Sequence, residues 1–129
     1  MSQSSLLPAP GSHFISLARA IEMTGLFRVQ KENILEEEFK NEDILPISET
    51  FNRSDLETLL AKPGCAALRT YFGMDESLKV RLVIVAVNEE ADDILPLPSV
   101  NEEEEDPGYA VEEGIRCPPI CANPSPLNS

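Results

Sequence analysis

The chain has 129 residues, 42 % of them hydrophobic, with 5 % aromatic and no Trp, a size and composition suited to one modest core. Its net charge of −13, from 23 acidic and 10 basic side chains, repels phosphate backbones and argues against nucleic-acid binding. The longest apolar run, Leu82 to Val87, is far too short to span a bilayer, and the first residues lack the pattern of a secretory signal.

Residues 1–88 hold 12 acidic and 9 basic side chains, whereas residues 89–129 hold 11 acidic ones and a single cation, Arg116. Three cysteines, an odd number, fit a reducing compartment better than a disulfide scaffold, so a cytoplasmic location is expected. Composition divides the chain into a disordered leader (1–12), an α+β domain (13–97), and an acidic, Pro-rich tail (98–129) partly packed on the domain.

Ser, Pro and Gly without periodicity mark residues 1–12 as the leader. Phe14, Leu17, Ala18 and Ile21 then recur at helical spacing, with Ser16 as N-cap, and the pattern predicts one helix from Ser16 to Leu35. Gly25 makes a break at Thr24–Gly25 the alternative. A charged loop over Glu36 to Asp43 leads to a short extended piece at Ile44-Leu45-Pro46-Ile47, where Pro disfavours helix in the residue before it. A second helix is signalled twice: Asn52 as N-cap with Phe51 and Leu56 as a hydrophobic staple, or Ser54 and Glu57 as a capping box. It turns Leu56, Leu59 and Leu60 inward and stops by Lys62-Pro63-Gly64.

Cys65 to Phe72 and Leu78 to Val87 read as two strands joined by the loop Gly73 to Ser77. The second begins with Lys79 and Arg81 on one face and ends apolar on both, as a central strand does. After a turn at Asn88 to Asp92, Ile94-Leu95 can add a short edge strand stopped by Pro96. The tetrapeptide Asp43-Ile44-Leu45-Pro46 recurs as Asp93-Ile94-Leu95-Pro96, too short for a duplication but placed where the chain enters or leaves the core. An acidic linker, Asn101 to Gly108, precedes Tyr109-Ala110-Val111, a further strand candidate. The Pro-rich segment from Arg116 onward forms neither helix nor central strand.

Chemistry-bearing motifs are few. Cys117-Pro118-Pro119-Ile120-Cys121 spaces two thiols as half a zinc site would, and Cys65 and His13 are the only other soft ligands. For redox catalysis the spacing is one residue too long, and Glu112 and Glu113 would raise the thiol pKa. A Pro-stiffened tail with its cysteines packed as small hydrophobes is the simpler reading. Cys65 reads as a buried small residue and His13 as a solvent-facing flank. No phosphate loop, nucleophile elbow or His-containing metal motif occurs, and no pair of carboxylates stands out for acid–base work.

Thr70-Tyr71-Phe72-Gly73-Met74-Asp75-Glu76, Leu78-Lys79-Val80, Val87-Asn88, Ile44-Leu45-Pro46, Thr50-Phe51 and the Cys-Pro-Pro-Ile-Cys ending together resemble a family of short uncharacterised proteins from Bacteroidota-type bacteria. The resemblance spans Phe14 to Ser129 and implies a bacterial, intracellular protein; it brings no activity, ligand or catalytic residue.

The sequence therefore predicts an α+β fold, two helices on a small antiparallel sheet. It predicts a non-enzymatic accessory or protein-interaction module, with no catalytic residue, no cofactor, and a protein rather than a nucleic acid or membrane as partner. The hairpin residues Gly73, Met74, Asp75 and Glu76 are the candidate partner surface, together with the Pro-rich end. The alternatives are a metal-binding or thiol-dependent protein acting through Cys117 and Cys121, and an acidic inhibitor of a basic protein.

Overall fold

In a computed structural model, residues 7–96 and 108–129 are described. Residues 1–6 of the expected leader and the acidic run Asn101 to Asp106 lie outside them.

Among the described residues the fold is α+β, with two helices, a three-stranded antiparallel sheet and a two-stranded one. Helix α1 spans Leu17–Gln30, capped by the Ser16 hydroxyl, which accepts the Arg19 N–H at 3.0 Å. It runs through Gly25 without a break and ends five residues before the expected Leu35. No residue of α1 is buried. Of the expected inward residues Ile21 is half-covered while Phe14, Leu17 and Ala18 are exposed, and the half-covered stripe continues through Ala20, Thr24, Gly25 and Arg28. The Arg28 guanidinium explains part of this rotation, since it donates to the Leu127 and Ser129 carbonyls and ties α1 to the tail.

A 3-10 turn at Glu37–Phe39 interrupts the charged loop, and the extended piece at 44–47 feeds strand β1, Ser48–Thr50. Helix α2, Arg53–Leu60, takes Asn52 as its cap: Asn52 Oδ1 accepts from Ser54 N and Ser54 Oγ. Ser54 thus supports the cap instead of being it. Leu59 is fully buried, while Leu60 is half exposed because it follows Leu59 by 100° around a two-turn helix.

Strands β2, Ala67–Met74, and β3, Val80–Val87, form the hairpin, so the connecting loop is Asp75 to Lys79, two residues later than expected. The side chain of Asp75 fixes that position. Its Oδ1 accepts from Ser77 N and Lys79 N, and Oδ2 accepts from Arg81 Nε at 3.1 Å. Strand β3 is central, paired with β2 on one side and β4, Ala110–Val111, on the other. One face of β3 carries Ile84 and Ala86 against Leu59, with Phe51, Leu56, Cys65, Ile94 and Val111 around them. This is the core. The expected edge strand at Ile94-Leu95 is reduced to one bridge between Val87 and Asp93.

The β4 side of β3 is completed by a relay of separate groups. Val80 N donates to Ile44 O at 2.7 Å, Leu82 N to Glu49 Oε1 at 3.2 Å, Ile84 pairs with Val111, and Ala86 O accepts from Ile94 N at 2.8 Å. The two Asp-Ile-Leu-Pro copies therefore dock at opposite ends of one strand edge. A strand left unread in the sequence, β5, Ile115–Cys117, pairs antiparallel with β1 to make the second sheet. Because β1 and β5 each have a single neighbour among the described residues, the following prolines do not interrupt a ladder there.

Candidate functional site

The hairpin end holds the candidate partner residues. Gly73, Met74, Asp75 and Glu76 line a cleft of about 550 Å³ together with Arg81, Val83, Glu112 and Glu113. Four carboxylates thus meet one guanidinium. The Asp75 carboxyl is held below its ordinary range, first by the Lys79 backbone N–H and then by the Arg81 guanidinium and the Ser77 N–H, so it is an anion at neutral pH. Glu112 and Glu113 reach the cleft because β4, expected at Tyr109-Ala110-Val111, and β5, which no local pattern announced, bring the chain back past β3.

Strand β2 leads to this cleft with one edge unpaired among the described residues. Because the Val80 and Leu82 N–H groups point away from β2, their register partners Met74 and Phe72 turn their own backbone N–H and C=O to the free edge. Thr70 and Leu68 do likewise. Phe72 is 82 % exposed, and Met74 and Leu68 are also exposed.

Towards its other end, β2 is braced. The Arg69 guanidinium donates to Asp93 Oδ1 and, at 2.9 Å, to Ala91 O, while the Tyr71 hydroxyl donates to Asp93 Oδ2. These contacts hold the Asp93 carboxyl below its usual pKa, Tyr71 contributing most and Arg69 next. Carboxylate, phenol and guanidinium are mutually satisfied here, which makes the cluster a clamp on the Asn88–Asp92 turn.

Cys117 and Cys121 are joined in a disulfide, with 4.7 Å between their Cα atoms. Cys117 is buried in β5 and Cys121 is exposed. A disulfide sulfur is not a thiolate ligand, so a metal role would belong to the reduced chain. Among the described residues no three His, Cys, Asp or Glu side chains are grouped to hold a metal ion. Cys65 is a free, half-buried thiol against the core, its Sγ 3.4 Å from Ala67 O. With two of three cysteines bonded, the odd count no longer argues for a reducing compartment. No helix among the described residues is long and apolar enough to cross a membrane.

Comparison with known proteins adds no relative: no family model, no curated protein and no solved structure matches the chain.

Proposed function

We propose that the protein is a non-enzymatic interaction module that binds an extended, basic segment of a partner protein along β2. The observation behind this reading is the continuity of two features: a free strand edge carrying Phe72 and Met74, running into a cleft walled by Asp75, Glu76, Glu112 and Glu113. A strand added to that edge would gain main-chain hydrogen bonds, and the carboxylates would select Lys or Arg beyond it. Inhibition of a basic protein is a special case of the same reading.

The test is NMR titration with an alternating Lys/Val peptide. Amide shifts are expected over Leu68 to Glu76, and Thr70→Pro should abolish them while leaving the β2–β3 ladder intact, because Thr70 donates away from β3. Shifts confined to the acidic segment around Glu102 to Asp106, or insensitive to Thr70→Pro, would defeat the proposal. A second reading, thiol-dependent regulation through Cys117 and Cys121, has their disulfide in its favour; a double Cys→Ser variant with unaltered peptide binding would remove it.

A further inference from the structure

Six of the ten cationic side chains pair with carboxylates: Arg19, Lys31, Lys40, Arg53, Arg69 and Arg81. Arg28 is engaged by the tail carbonyls, and Lys62 lies 3.9 Å over the Tyr109 ring. Two remain without an ion pair among the described residues, Lys79 and Arg116. Both line the same cleft of about 310 Å³, and Arg81 completes it.

Arg116 is the unusual member. It is 5 % exposed, its Nη2 donates to Asp43 O at 2.8 Å and Ile44 O at 3.2 Å, and its Nε has no partner. Two carbonyl dipoles and the facing Glu49 carboxylate, whose buried Oε2 also lacks a partner among the described residues, compensate this guanidinium without an ion pair, so its Nε keeps a donor that a bound anion could use. Glu49, its cross-strand neighbour, turns its carboxylate to Leu82 N and makes no ion pair with it. Arg81 keeps its Nη groups free of Asp75, which takes only Nε. The rest of the wall includes the apolar Ile115, Pro119 and Ile120.

We infer that this cleft is a binding site for a small phosphate-bearing molecule with an apolar body. Two guanidinium groups and an ammonium supply more donors than a carboxylate can use and suit the three oxygens of a phosphate monoester. The net charge of the protein does not forbid this, since charges farther than about 8 Å are largely screened at physiological ionic strength. Carboxylates do border the cleft, with Asp75 on Arg81 Nε, Glu113 preceding Gly114 and Glu49 Oε2 beside Gly114, but none of them lines it. Ile115, Pro119 and Ile120 would cover the apolar body, giving the tail loop between Cys117 and Cys121 a role as one wall of the site.

The experiment follows backbone amides of the full chain by NMR at constant ionic strength, adding inorganic phosphate, phenyl phosphate or acetate. Saturable shifts are expected at Lys79, Arg81, Ile115 and Arg116, with phenyl phosphate tighter than phosphate and acetate weaker than both. Lys79→Met removes one charge and no folding contact, and should weaken phosphate binding about tenfold. Arg53→Met, which removes an exposed charge that does not line the cleft, should leave it unchanged. Shifts that grow linearly without saturating, that acetate reproduces equally, or that survive Lys79→Met would overturn the site.

Discussion

Glu49 and Arg116 stand directly opposite one another across the β1–β5 ladder, and both serve the same edge of β3. Glu49 accepts the Leu82 N–H, and Arg116 braces the Ile44 carbonyl that accepts the Val80 N–H. The small sheet is thereby fastened to the large one by polar groups. Replacing Arg116 by Met leaves the Asp43 carbonyl without its donor, and a loss of about 1–3 kcal/mol in urea denaturation is expected. A double-mutant cycle with Glu49→Gln should give a coupling of about 0.5 kcal/mol or more, although no ion pair joins the residues.

Gly114 is required by volume. A Cβ there would lie 2.7 Å from Glu49 Oε2 and 2.8 Å from the Phe51 ring, so Gly114→Ala should destabilise by about 1–3 kcal/mol. Gly25 gives the opposite expectation. Its Cβ would meet nothing closer than Arg28 Nη2 at 3.7 Å, and Gly25→Ala in mid-helix should stabilise by about 0.5–1 kcal/mol. Thermal melts of the two variants should move in opposite directions.

The Asp93 clamp makes acid sensitivity predictable in sign. The folded-state pKa lies below the ordinary aspartate value of 3.8, so the stabilisation is complete above that pH and is lost as pH falls from 3.8 through the folded value. Tyr71→Phe removes the main cause of the depression. The Asp93 titration midpoint, followed by carboxyl-carbon NMR, should rise in that variant, and the stability gap between the two proteins should narrow below pH 3.8. An unmoved midpoint would show that Arg69 alone holds the carboxylate.

The Cys117–Cys121 disulfide closes a five-residue loop. Chain-entropy arguments give about 2 kcal/mol for so short a loop, and reduction should lower stability by that order. Melts with and without a phosphine reductant check this. The double Cys→Ser variant should match the reduced protein and be indifferent to reductant.

Local signals identified much of the fold: the Ser16 and Asn52 caps, the hairpin, the central place of β3, and the brief return at Ala110–Val111. They depend on interactions within a few residues, or on a period-two pattern turning apolar on both faces at Val83 to Val87. The hairpin loop was displaced because Gly73 looks like a turn residue, whereas the turn is organised by the hydrogen bonds of Asp75. The inward face of α1 was right at Ile21 and wrong at Phe14, Leu17 and Ala18, because periodicity shows that a helix has an apolar stripe but not which side the rest of the chain covers.

The sequence by itself determined the α+β class, the uneven distribution of charge and the scarcity of catalytic motifs, since these follow from composition and short-range pattern. Tertiary structure alone decided that Glu112 and Glu113 share a cleft with Asp75 and Glu76, that Lys79, Arg81 and Arg116 share another, and that Glu49 and Arg116 join the two sheets. The reason is physical. Each of these groupings joins residues 30 or more positions apart, and their meeting depends on how β4 and β5 return past β3, a register set by packing and not by any local preference.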